Sequence, residues 1–388
     1  MHSISLLSSE QSLTMSDRCS WIMFRGNSMR TGVSASRIPR KPSLLWVTEI
    51  GPSVASPVFD GNSIYVATMT GRIFALNPFQ KQIRWHLNSC SPLVSSPVVH
   101  NGILLAATYD TWINDTSFMG KNFILGIDTK DGTQIWHHEM TGDIFSSPCL
   151  IDHGTKIVVG CRNSSIYTLD VKSGDLAWEF ETGGEVWSSP SYNGQHIFVG
   201  SDDGLLYSLD LDGKLRWKTK LNGKIRSSSP CLSFYGDECE HCSVFIGTYN
   251  GGIFCLNGSN GKIRWCKDIE KPVMASPASI RDKVFFATSD QKIYCFQIDD
   301  GSMIWDYKTD HKIWSSPSIS GPNDILFMGS LDSHIYGINV NTGKQTWKFP
   351  TMNMIDASAA IANNMMFLGS RDGLFYIFGS ENLPAYIG

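Results

Sequence analysis

Tryptophan recurs along this chain with a period near forty residues, and that recurrence constrains the fold more than any other feature. It falls at Trp46, Trp85, Trp136, Trp178, Trp217, Trp265, Trp305 and Trp347, with spacings of 39, 51, 42, 39, 48, 40 and 42. A second marker runs in step with it. Ser-Pro pairs stand at Ser56-Pro57, Ser96-Pro97, Ser147-Pro148, Ser189-Pro190, Ser229-Pro230, Ser276-Pro277 and Ser316-Pro317, and Ser358-Ala359 is a degenerate eighth copy. Two independent markers sharing one period define a repeat protein.

One unit, residues 184–221, shows what each repeat is. It divides into EVWSSPSY, HIFVGS, LLYSLD and LRWKTK, separated by NG, DDG and DG turn signals, with no helix-period run between them. Four antiparallel strands without crossover helices make a propeller blade and exclude folds built on βαβ units. The turns before five of the Trp strands carry Asp or Asn followed by Gly, as at Asp170 and Gly174 or Asp210 and Gly213. The acid bonds nearby amides and the glycine supplies positive φ, so these residues are structural. The Trp ring is expected to lie flat between adjacent blades, with its indole nitrogen needing a partner.

The chain ends complete the count. Trp46 lies in SLLWVTEI, ahead of the first Ser-Pro element, whereas the last unit stops before any Trp strand. The N-terminal strand therefore completes the final blade and hides two open edges. The expected fold is all-β, an eight-bladed β-propeller of four-stranded antiparallel blades. Residues 1–42 form an N-terminal leader, partly flexible, 43–379 the propeller and 380–388 a C-terminal tail. Two units carry insertions, at 109–123 and 234–242, which must leave the blades as loops and are plausible binding surface. The second contains Cys239, His241 and Cys242, read as an inserted loop in preference to a metal site.

A net charge of −4, with 18% charged residues, gives no electrostatic case for a nucleic-acid partner. The first twenty residues lack a signal peptide's basic and apolar regions, and no apolar run reaches the length of a membrane span. The ten cysteines are scattered over different points of different repeats, a pattern of free thiols in apolar sites that suits a reducing compartment. A soluble, cytoplasmic, monomeric protein is the expectation from these features.

In its SSP strand, its GS-DG-LYSLD run ending at Asp210 and its GK-RW strand ending at Trp217, repeated from about residue 44 to 378, the chain resembles the pyrroloquinoline-quinone-like repeat family. The segment WIMFRGNSMRTG, Trp21–Gly32, is similar to the short leader that precedes such propellers. The resemblance implies the propeller fold. Within the family, quinoprotein alcohol dehydrogenases hold their cofactor on a Trp beneath a disulfide of adjacent cysteines, with calcium nearby. This chain has no Cys-Cys pair and is too short for the long insertions that build that pocket, so no cofactor and no metal is expected. The barrel-assembly lipoprotein propeller is nearer in size and implies a scaffold for another protein, although this chain has no lipobox. A propeller at the end of a multidomain acyl-activating enzyme of the aminoadipate-semialdehyde type is the other cousin.

The innermost strand of each blade lines the channel, and residues three or four before each Pro approach one mouth. They are Val54, Val94, Phe145, Trp187, Arg226, Met274, Trp314 and Asp356. Trp187 and Trp314, with Arg226 and Asp356, and with Phe145 and Met274 beside them, can hold a small amphipathic ligand or anchor a peptide residue. Alternatively the Trp rings plug the channel and Arg226 pairs with Asp356 or solvent; the extra Ser227 leaves the Arg226 register open. No catalytic residues stand out. The function expected is a non-enzymatic scaffold that binds a protein partner through its loop faces. The alternatives are a propeller that binds or senses a small ligand in its central channel and, further off, a quinone-dependent dehydrogenase.

Overall fold

The computed structural model describes residues 20–89, 91–109, 122–226, 228–234 and 242–381. Most of both insertions, with Cys239 and His241, lies outside them. Among the described residues there are eight sheets, each built on four antiparallel strands; seven take the four in chain order, the eighth takes its outer strand from the N-terminal side, and one carries a short fifth strand, so the eight-bladed propeller read from the sequence is the observed fold. In blade 4 the strands run Ser191–Tyr192, Ile197–Gly200, Leu205–Leu209 and Leu215–Lys220. The inner strands of neighbouring blades touch one another around the central axis.

Position in the blade explains the residue pattern. Near the axis each sheet is covered on both faces by its neighbours, so the second strand is a continuous apolar run: every residue of Ile197–Gly200 is buried. The outer strand is half solvated and alternates, as Leu215–Lys220 does with LRWKTK. Each outer strand also carries a register shift one or two residues before or at its Trp, for example between Thr168↔Trp178 and Leu169↔Leu176. Such bulges twist an exposed edge away from unwanted pairing.

Closure follows the expected route. Ser43–Glu49 pairs with Leu374–Gly379 from Ser43↔Gly379 to Glu49↔Leu374 and so supplies the outer strand of blade 8. Between blades the Trp residues act as hooks. Trp178 Nε1 donates to the Leu211 carbonyl at 2.9 Å, and Trp85, Trp136, Trp217, Trp265 and Trp305 make the corresponding bond at 2.8–3.1 Å. Each ring lies on the turn glycine of the next blade: a Cβ on Gly213, whose φ is +78°, would stand 2.7 Å from the Trp178 ring. Trp347 departs from this and packs against Phe349 and Phe378.

The Ser-Pro marker also links blades. The amide of Ser56 donates to Ser96 Oγ at 2.9 Å, Ser96 to Ser147, Ser147 to Ser189, and the series resumes from Ser229 through Ser276, Ser316 and Ser358 back to Ser56. Ser229 Oγ accepts nothing, and the link is replaced there by Ser188 Oγ donating to the Ser228 carbonyl. That break sits beside Ser227, the extra residue of the fifth unit.

Candidate functional site at the channel rim

The leader closes one end of the channel. Its carbonyls accept amides from successive inner strands two residues after the marker Pro: Trp21 from Phe59, Ile22 from Val99, Ser28 from Tyr192, Met29 from Leu232, Thr31 from Ser279 and Gly32 from Ile319. Val33–Ser34 then pairs in parallel with Ile319–Ser320. Two leader arginines are fully buried. Arg30 donates to the carbonyls of Phe24, Ser147, Pro148 and Pro190 at 2.5–3.0 Å, and Arg25 to that of Pro277 at 3.1 Å. Burial pulls the Arg25 guanidinium down to about 9. The buried Arg25 and Arg30 thus sit against inner-strand carbonyls on the leader side, away from the rim that carries Trp187 and Trp314.

The rim residues stand at the other end of the inner strands. Each follows a buried aliphatic that fixes its direction: Ile144, Val186, Ile225, Val273, Ile313 and Ile355 precede Phe145, Trp187, Arg226, Met274, Trp314 and Asp356. Several of these wedge against a glycine of the preceding blade, and a Cβ on Gly200 would lie 2.2 Å from Ile225. The rim is thereby carried on rigid elements, not on loose loops.

Phe145, Trp187 and Arg226 come together. The Phe145 and Trp187 rings stack at 4.3 Å, and Tyr109 meets Phe145 edge-on at 4.4 Å. Arg162 lies 4.7 Å and Arg226 5.2 Å from the Trp187 ring, and Arg226 is also 5.4 Å from Tyr249. The result is a ladder of aromatic and guanidinium groups over blades 2 to 5. Carboxylates brace it: Asp202 accepts from Arg226 at 3.0 Å and from Lys224 at 3.1 Å, and Asp143 from Arg162 at 2.7 Å. At Glu185 burial raises the carboxyl's affinity for a proton, but hydrogen bonds from Arg162 and from Trp187 Nε1 outweigh it and hold the group below its ordinary value.

Arg226 and Asp356 do not pair with each other. Asp356 takes Arg371 at 2.5 Å, within its own blade. Trp314, 40% exposed, and Met274 line a hollow that begins at Tyr249, where the ladder ends. Two further hollows of about 550 and 590 Å³ flank Arg226 and Lys224.

Arg162, Asp202, Tyr249 and Arg371 were not among the residues read from the sequence. They share one repeat position, the residue after the Gly-Ser, Thr or Cys that ends the second strand. A column read across the repeats at that position would have found them. The neighbouring acids are structural: Asp203, Asp332 and Asp372 each accept a Tyr hydroxyl at 2.5–2.7 Å as well as backbone amides. Burial, then the bond to Asp203, pushes Tyr207 up to about 12.

Eight blades with repeated SSP and Trp hooks define a pyrroloquinoline-quinone-like repeat propeller. The chain belongs to the family described as the β-propeller of beta-alanine-activating enzyme, whose model matches residues 108–382, while the model of the outer membrane protein assembly factor BamB matches residues 30–185. BamB of Nitrosomonas eutropha is 26% identical over 58% of this chain and 54% of its own length. Beta-alanine-activating enzyme of Drosophila melanogaster is 31% identical over 32% of this chain but only 12% of the relative. The crystal structure of BamB from Moraxella catarrhalis superposes with a TM-score of 0.71 at 16% identity, covering 87% of this chain and all of that one, which speaks for the fold. The match thus spans about half of the BamB relative and about an eighth of the activating enzyme.

These matches overturn the cytoplasmic placement expected from the cysteines, since the BamB relatives are named outer membrane protein assembly factors. The physical reason is visible in the blades. Of the seven described cysteines, all free, six are buried in strands, where packing alone keeps them from pairing, so thiol content does not report the compartment. Among the described residues no helix is long and apolar enough to cross a membrane.

Proposed function

We propose that this propeller is a scaffold that binds a protein partner at the rim carrying Phe145, Trp187, Arg226, Met274, Trp314 and Asp356. The observation that carries the reading is the braced ladder, in which Trp187 is held between Arg162 and Arg226. Aromatic and arginine side chains fixed in advance lose little freedom on binding and are the residues that dominate protein interfaces. Exposed apolar groups continue the surface around the same mouth: Tyr249, Trp314, Met354 and Met352, the last 83% exposed. The rim carboxylates support binding over catalysis, because Asp202 and Asp356 are committed to ion pairs and Asp203, Asp332 and Asp372 to turns. Relatives named for two different tasks share the propeller, which supports a common frame whose surface varies.

A photoreactive amino acid placed at Tyr249 or Met352, on the rim, and at Met303, on an outer strand, tests this in cells. One defined adduct from the rim positions, suppressed by Arg226→Glu, is the expected result. Adducts of equal yield from Met303, or none from the rim, would overturn the reading.

A further inference from the structure

The hollow between blades 5 and 7 differs from the rest of the rim. It measures about 540 Å³ and is lined by Tyr249, Pro272, Met274 and Trp314 together with Lys271, Lys308 and Lys312. Three lysines in so small a space are unexpected in a chain whose net charge is −4. Asp306 holds Lys292 at 2.9 Å and Asp310 holds Lys348 at 3.0 Å. Asp290 also lines the hollow, its carboxylate turned to the hydroxyls of Thr288 and Tyr294 and the Lys292 amide, so the lining carries three cations against one anion. Lys308 even stands directly opposite Lys292 across the hairpin. Among the described residues none of the three lysines has a carboxylate within ion-pair distance.

We infer that this hollow receives an acidic segment of the protein partner, with an aromatic or large apolar residue entering between Tyr249, Met274 and Trp314 and flanking carboxylates reaching Lys271, Lys308 and Lys312. The inference rests on the scaffold reading and names its partner's chemistry. Charge complementarity selects an anion, and the exposed faces of Trp314 (40%) and Tyr249 (42%) select an apolar or aromatic neighbour for it. The lysines come from three separate segments: the loop entering blade 6, the end of that blade's outer strand and the loop entering blade 7. Carboxylates spaced along an extended chain meet that arrangement better than one small anion does.

The test titrates the purified full chain with a fluorescein-labelled, end-capped peptide, Asp-Glu-Asp-Phe-Asp-Glu, and follows anisotropy. Saturable binding that weakens as salt rises, and weakens roughly tenfold or more in Lys308→Glu/Lys312→Glu and in Trp314→Ala, is expected. Both sites are exposed, and an unchanged thermal midpoint shows that the variants are folded. The inference is overturned by absence of saturable binding, by equal affinity in the folded variants, or by a peptide carrying Lys in place of its acids binding as well. Displacement by equimolar benzoate would also overturn it, assigning the hollow to a small organic anion. The titration needs no cellular partner, so it can fail while rim cross-linking succeeds, and the reverse.

Discussion

Arg30 and Pro190 meet inside the channel, where the buried guanidinium Nε donates to the proline carbonyl at 2.9 Å. The same side chain serves Phe24, Ser147 and Pro148, so one residue of the leader ties together blades 3 and 4. Arg30→Ala would leave four carbonyls without that donor, and a loss of about 2–4 kcal/mol is expected from urea unfolding. Arg30→Lys should restore less than half of it, because an ammonium cannot reproduce the planar fork. An unchanged midpoint for Arg30→Ala would show that the leader does not hold the blades.

Alkaline pH should weaken the fold. Burial pushes the thiols of Cys161 and Cys231 up to about 11, and those of Cys242, Cys255 and Cys295 to about 12. An unfolded thiol ionises near 9, so above that pH the unfolded chain releases protons that the folded chain keeps, and stability falls as pH rises. Arg25 and Arg30 act with the opposite sign: burial lowers both, Arg25 to about 9, so the cost of burying their charge is relieved as pH rises. Five thiols outweigh the two guanidiniums. The urea midpoint is therefore expected to be lower at about pH 10.5 than at about pH 8, and a rise would contradict the assignment of these thiols as buried and protonated.

The turn glycines answer to two constraints at once. Gly213 has a φ of +78°, and its absent Cβ would sit 2.7 Å from the Trp178 ring of the neighbouring blade. Gly213→Ala is expected to cost about 1–4 kcal/mol, the sum of backbone strain and a displaced ring. Gly194, with a φ of +96°, has nothing within 4 Å of its Cβ position. Gly194→Ala should show the backbone part alone, and thermal unfolding of the two variants separates the terms. Equal losses would mean that the ring contact adds nothing.

The architecture was legible because each blade repeats the same solution. Trp178 hooks Leu211, Trp217 hooks Gly258, and of the eight Trp residues in the repeat six make such a hook. Phe145, Trp187 and Arg226 could be placed on one mouth for the same reason, from their offset to Pro148, Pro190 and Pro230. The leader could not be read so. It occurs once, and Arg25 and Arg30 look like solvent-facing cations until the ring of carbonyls that receives them has been assembled from blades far apart in sequence. The partners of the rim charges were hidden likewise: Asp202 and Arg226 are 24 residues apart, and only the crossing from one blade to the next brings them to 3.0 Å.

That pair decides whether the ladder is fixed before a partner arrives. Asp202 is 6% exposed and holds both Arg226 and Lys224, while Arg226 spans the rings of Trp187 and Tyr249. Removing one member strands the other: Asp202→Asn leaves two cations without their carboxylate, and Arg226→Met leaves a nearly buried carboxylate with only Lys224. Each single change is expected to cost about 1–3 kcal/mol. If the two act as a unit, the double variant should cost little more than either alone, giving a coupling of about 1 kcal/mol or more in a double-mutant cycle measured by urea unfolding. Additive losses would mean that Arg226 is positioned by the aromatic rings alone, and that the charge it offers a partner is not set by Asp202.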